Sequence, residues 1–127
     1  MTSNISKKQN TILWTLRILA AVVLIQTLRF KFTAAPESVY IFSTLGMEPW
    51  GRIGTGVVEL ITAILILWPR FSVYGAILGA GVMSGAIASH LFVLGINLQD
   101  DGGLLFYTAA VVFLVCLAII YLQRQVL

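Results

Sequence analysis

The sequence predicts an all-α fold, a polytopic membrane four-helix bundle with a short amphipathic helix between helices 1 and 2. Three observations predict it. Hydrophobic residues make up 59% of the 127 positions and charged residues only 10%, with a mean hydropathy of +0.97. A soluble domain carries about 25% charged residues, so this chain lacks the polar surface that would keep it dissolved. Four apolar stretches each approach the roughly 20 residues a spanning helix needs. The prolines and most of the charges fall outside them. The four spans and their loops use nearly all of residues 1–127, so the chain reads as a single transmembrane domain with no separate soluble unit.

The first span covers about residues 11–32. Its apolar core is Ile12, Leu13, Leu16 and the run from Ile18 to Ile25. Trp14 sits near one end, where an amphipathic ring favours the interface. Arg17 lies one to two turns inside, a position from which it is expected to snorkel outwards. The polar residues before the span, with Lys7 and Lys8, resemble the start of a signal peptide. No small-x-small cleavage site follows, and Arg17 interrupts the apolar run, so the segment reads as an uncleaved first span.

The longest connection, residues 33–50, is bracketed by Pro36 and Pro49. Glu37 to Leu45, closed by Gly46, is short and amphipathic. A helix is expected there, lying at the membrane surface or folded back into the mouth of the bundle. The second span, about 51–68, ends at Pro69-Arg70, and a proline just beyond a helix is a common stop. The third, about 72–94, has no charged residue except a charge on His90. It carries a Gly75-x-x-x-Gly79 pair and a second small-residue stripe of Gly81, Gly85 and Ser89, which let helices approach closely in lipid. Small residues on two faces predict that this span is central and touches at least two neighbours. The turn 95–103 is rich in glycine and acid, and the fourth span, about 104–122, is nearly pure hydrocarbon.

An even number of spans puts both termini on one side. With the termini in the cytoplasm, Lys7, Lys8, Arg70 and Arg124 lie inside, against Arg29, Lys31 and Arg52 outside. The excess favours that orientation, and widens if Arg29 or Lys31 belongs to the bundle. The formal net charge of +3 is therefore a topology signal and not a nucleic-acid footprint. The single cysteine, Cys116, lies in an apolar run and reads as a small buried hydrophobe.

Chemistry centres on Glu59, near the middle of the second span. A carboxylate at that depth costs about 2.5–3.5 kcal/mol on insertion scales, so it must face the bundle interior and find a partner. Arg52, Thr55 and Thr62 share its helix face, but Arg52 is about 10 Å away along the axis. His90, in the last third of the third span, falls in the same membrane half and is a candidate partner for Glu59 or Arg52; an imidazole titrates near neutral pH. Gln26, Arg29 and Lys31 close the first span in that half. End-of-helix cations usually anchor at the interface, and the other reading turns one of them inwards to balance Glu59. Asn97 supplies an amide to the same mouth. One histidine and one membrane carboxylate make a poor metal site, and there is no phosphate loop or nucleophile elbow.

The order Leu16-Arg17, Arg29-Phe-Lys31-Phe, Phe42 to Gly46, Val57-Val-Glu59-Leu, Leu67-Trp-Pro69-Arg70 and Gly75 to His90-Leu resembles the DoxX family of small four-helix membrane proteins, from about Leu16 to Leu122. Gln26-Thr27 departs from it, since many members carry a small residue with glycine there. The resemblance implies a protein of the bacterial inner membrane. The family is named after a subunit of a thiosulfate:quinone oxidoreductase, and other members are tied to redox or oxidative-stress complexes. The matching family residues are Arg17, Lys31, Glu59 and His90. Three functions follow: a subunit of a redox, quinone-linked complex, whose electron carrier a partner must bring; a small-molecule or lipid transporter or binding module, which needs a homodimer for alternating access; or a structural anchor for a partner. The first is the expectation, with Glu59 and His90 handling protons and Arg17, Gln26, Arg29, Lys31, Arg52 and Asn97 binding the ligand.

Overall fold

The computed structural model describes residues 7–98 and 101–124. Asp100 of the expected acidic turn and the first six residues of the N-terminal segment lie outside them. Five α-helices follow in order: α1 (Lys7–Phe32), α2 (Pro36–Thr44), α3 (Trp50–Leu67), α4 (Ser72–Ser89), which continues into a π-helical turn (His90–Leu94), and α5 (Leu104–Leu122). Helices α1, α3, α4 with its π turn, and α5 are long and apolar enough to cross a membrane.

Local chemistry sets the boundaries. Helix α1 begins earlier than expected, because Thr11 and Thr15 bond their hydroxyls back to the carbonyls of Lys7 and Thr11, which seats polar residues in a helix. Pro36 opens α2, where its missing N–H matters least. Gly46, at φ +74°, closes it by donating to Ser43 O. Helix α3 stops two residues before Pro69. The π turn ends where Gly95, at φ +83°, donates to His90 O.

The spans form a ring in the order α1, α3, α4, α5, each packed on two neighbours. Helices α1 and α4 are therefore diagonal. The core runs down the axis through Leu13, Ala20, Leu24, Ala63, Ile66, Ala76, Val112, Cys116 and Ile119. Both described ends of the chain fall at one rim, called here the terminal rim; α2 and residues 95–98 and 101–103 form the loop rim. Helix α2 folds back into the mouth, burying Ser38 and Phe42 against α1, α3 and the π turn.

The expectation for the third span needs correcting. It touches two neighbours but is the least buried of the four. Only one small-residue stripe packs: a Cβ on Gly75 would meet Leu65 Cβ at 2.7 Å, and one on Gly79 would meet Cys116 Sγ at 2.9 Å. Gly81 and Gly85 look outwards and would meet nothing within 4 Å. In lipid an outward stripe adds no hydrophobic penalty, so composition alone could not separate the two.

Candidate functional site

The buried face of α1 recurs at Leu13, Arg17, Ala20, Leu24 and Leu28. One further step of three residues reaches Lys31. On α3 the buried face is Arg52, Gly56, Glu59, Thr62, Ala63 and Ile66. Where α1 packs on α3 the two stripes meet, and Lys31 Nζ lies 3.0 Å from Glu59 Oε1. Lys31 stands at the C-terminal end of α1, and helical side chains lean towards the N-terminus, so its chain dips into the bundle and not towards water. Glu59 is 4% exposed. Among the described residues Oε1 has no polar contact besides this ion pair.

Arg52 does not pair with Glu59. Its Nε donates to both carboxylate oxygens of Glu48, at 2.9 and 3.1 Å, and its Nη1 donates to Lys31 O at 2.5 Å. The guanidinium thus ties the last turn of α1 to the segment before α3. The ring of Phe32 covers the wall beside Glu59, where a Cβ on Gly56 would meet it at 2.8 Å. Glu48 was not singled out from the sequence; the signal was its i,i+4 spacing from Arg52.

His90 is buried. Its Nδ1 lies 3.0 Å from Gly95 O and its ring meets Phe106 edge-on at 5.9 Å. A carbonyl oxygen only accepts, so Nδ1 carries the hydrogen and neutral His90 keeps its lone pair on Nε2. The α3–α4 contacts give its depth. Gly75 sits against Ile66 and Gly79 against Thr62, so Met83 is level with Glu59 and His90 level with Arg52. His90 therefore shares the loop half of the bundle with Glu59 but stands about 10 Å nearer the rim. The partner that Glu59 finds is Lys31, not His90.

Three other expected ligands stand apart. Gln26 is exposed, five residues before Lys31 and two before buried Leu28, which is about 200° around the helix. Arg29 is exposed, with its guanidinium 5.5 Å from the Phe30 ring. Asn97 is exposed and its Oδ1 accepts the N–H of Gly102, which shapes the turn. Arg17 departs further from expectation. It does not snorkel outwards but is 2% exposed, with Nε donating to Ser72 Oγ at 3.0 Å and the guanidinium 4.8 Å from the Trp14 ring. It lies about 21 Å down α1 from Lys31, so it belongs to a different place in the bundle.

An open groove of about 410 Å³ lies between α1 and α5, lined by Val23, Leu104, Tyr107, Thr108 and Val111 with Asp101 and Gly102 at its head. It includes neither Glu59 nor His90. No group of three or more metal-ligating side chains occurs among the described residues.

A search of curated proteins and a search of solved structures return no match. A model of the DoxX-like family matches residues 15–120, which takes in the Arg17, Lys31, Glu59 and His90 just described. With its four membrane-length helices and that match over most of its length, the chain belongs to the DoxX-like family of multi-pass membrane proteins.

Proposed function

We propose that the bundle is a membrane subunit of a redox, quinone-linked complex, with the Glu59–Lys31 pair as its polar centre. One observation carries the reading: Glu59 is 4% exposed, and among the described residues its Oε1 has the Lys31 ammonium as its single polar partner. A carboxylate has about four lone-pair sites and one ammonium serves one of them, so the buried group is left under-satisfied. A ligand that offers a hydroxyl to the carboxylate and a carbonyl to the ammonium removes that deficit. A quinone head has both groups across its redox cycle, and its chemistry exchanges two electrons and two protons. Here Glu59 accepts or returns a proton at Oε1, while Lys31 holds the compensating charge. His90, two turns nearer the rim and with Nε2 available, exchanges protons with the outer side. Electrons come from a partner subunit bearing flavin, haem or an iron–sulfur cluster.

The same reading places the protein in a bacterial inner membrane with both termini in the cytoplasm. Lys7, Lys8, Arg70 and Arg124 are all exposed at the terminal rim. At the loop rim Lys31 and Arg52 are taken up in ion pairs, which leaves Arg29 as the exposed cation there. That asymmetry supports the orientation under the positive-inside rule. A cysteine at position 8 should resist an impermeant thiol reagent added outside whole cells; labelling there overturns the orientation.

The function is tested by binding of a quinone analogue to the purified protein. Glu59→Gln is expected to weaken it by roughly tenfold, the worth of one charge-assisted hydrogen bond. His90→Ala should leave affinity nearly intact but slow the proton-coupled turnover of the assembled complex. Equal affinity of the parent and Glu59→Gln sinks the reading.

A further inference from the structure

At the terminal rim, far from Glu59, the chain buries a second charge that its own side chains cannot neutralise. Arg17 is 2% exposed, and its hydrogen bond runs from Nε to Ser72 Oγ, across the diagonal of the bundle. The two Nη groups, with four N–H donors, make no hydrogen bond among the described residues, and Arg17 has no carboxylate partner there. The sequence explains why. The five acidic residues are Glu37, Glu48, Glu59, Asp100 and Asp101. Glu59 is held in the loop half by Lys31, and Glu37, Glu48 and Asp101 stand at the loop rim. Among the described residues no acidic side chain reaches the terminal rim. A buried guanidinium without an anion is expensive, and a ring face plus one hydroxyl replaces only part of its hydration.

Ser72 adds a second feature. It is fully buried and is the first residue of the 18-residue helix α4, whose N-cap makes no side-chain hydrogen bond. The opening turn of a helix presents free N–H groups and the positive end of its dipole. The Arg17 guanidinium is thus held against a helix N-terminus, two positive features facing one place. At the same end of the bundle Gln123 of the α5 terminus is 1% exposed, and its Oε1 has no donor among the described residues. The rim therefore holds a guanidinium with no carboxylate partner among the described residues and a buried acceptor short of a donor. Around it stand exposed Arg70 and Arg124, with exposed Trp68 and Tyr121 at interface depth.

We propose that Arg17, Ser72 and the N-terminus of α4 form an anion site for a phosphate ester, filled by the headgroup of an anionic phospholipid from the leaflet at the terminal rim. The phosphate accepts from the Nη groups and the first N–H groups of α4. A headgroup hydroxyl satisfies Gln123 Oε1. The site is independent of the polar centre at Glu59, and lipid bound there would hold the α1, α3–α4 and α5 ends together.

The test measures thermal unfolding of the purified chain in nanodiscs of phosphatidylcholine alone, of phosphatidylcholine with added phosphatidylglycerol, and of phosphatidylcholine with inorganic phosphate in the buffer. Lipid retained after detergent extraction is read by native mass spectrometry. Phosphatidylglycerol is expected to raise the melting temperature by several degrees and to stay bound. Arg17→Gln should reduce retention roughly tenfold, as expected for loss of a charged donor pair. Ser72→Ala should reduce it less, and Arg70→Gln, a rim cation outside the site, should keep most of it. A response to inorganic phosphate that depends on Arg17 supports the anion site and assigns its ligand to the free ion. If Arg17→Gln does not fold, the comparison of lipids on the parent and on Ser72→Ala still decides. Equal stabilisation of the parent by all three conditions, or undiminished retention in Arg17→Gln or in Ser72→Ala, overturns the proposal.

Discussion

Lys31 Nζ lies 3.0 Å from Glu59 Oε1 and joins the last turn of α1 to the middle of α3, with the two side chains 16% and 5% exposed. Removing one member of a buried pair strands the other. Lys31→Met is therefore expected to destabilise the bundle by on the order of 3 kcal/mol, and the double variant Lys31→Met, Glu59→Leu to recover most of that loss. Reversible unfolding in mixed detergent measures both. Glu59→Gln leaves Lys31 without its counter-charge, but that side chain is the more exposed of the two, so the variant should cost less stability than Lys31→Met while weakening binding of the quinone analogue about tenfold. A silent Lys31→Met would show that the pair does not hold Glu59 inside.

Arg52 joins three segments, and its two contacts should separate by mutation. Glu48→Gln removes a part-exposed i,i+4 pair, with side chains 20% and 9% exposed, and is expected to cost under about 1 kcal/mol. Arg52→Ala also takes the donor from Lys31 O, a carbonyl at the end of α1 with no later helical N–H to receive. Its cost should exceed that of Glu48→Gln by about 1 kcal/mol or more, the worth of a hydrogen bond to a charged group. Equal costs from the two variants would place the whole effect in the ion pair.

Much of the fold was legible because lipid imposes it. Spanning lengths, proline stops and glycine turns fix four helices with little freedom for alternatives. The site was legible only in part. The importance of Glu59 follows from its depth, but its partner was a question of angle. The stripe Leu13, Arg17, Ala20, Leu24, Leu28 already pointed at Lys31 and away from Gln26 and Arg29, and the backward lean of helical side chains aims a C-terminal lysine into the bundle. The usual behaviour of end-of-helix cations argued the other way and hid that signal. The same stripe contains Arg17, so its burial was also written in the spacing. The axial offset of His90 from Glu59 was not, since it depends on how far α4 slides along α3, which the close approach at Gly75 and Gly79 sets.

Those two glycines and the outward pair should respond oppositely to alanine. Gly79→Ala drives a methyl towards Cys116 Sγ at 2.9 Å and Thr62 Cγ2 at 3.1 Å; Gly75→Ala meets the backbone N of Ile66 at 2.8 Å. Each is expected to cost about 1–3 kcal/mol through forced separation of helices. Gly85→Ala meets nothing and should gain up to about 1 kcal/mol of helix propensity. Unfolding midpoints of the three variants check this, and a stabilising Gly75→Ala would contradict the close α3–α4 contact.

Asp101 gives the loop rim an acid-sensitive joint. Its Oδ1 accepts the N–H groups of Leu98 and Gly103, and its Oδ2 accepts that of Leu105, so one carboxylate organises the turn and caps the start of α5. Partial burial pushes its pKa up, but the hydrogen bonds from Gly103, Leu105 and Leu98 together outweigh that and hold it below the ordinary 3.8. A carboxyl whose folded pKa is depressed favours the folded state when ionised. Its contribution is thus complete above the ordinary carboxylate range and disappears as pH falls through the lower, folded value. Amide-exchange protection of Gly103 and Leu105 should hold from neutral pH down to about pH 4 and then decline. In Asp101→Asn protection should start lower and lose its acid dependence, because the amide keeps only one acceptor oxygen and cannot ionise. Protection in the parent that stays flat through the acid range would mean that the turn is held by its glycines and not by this charge.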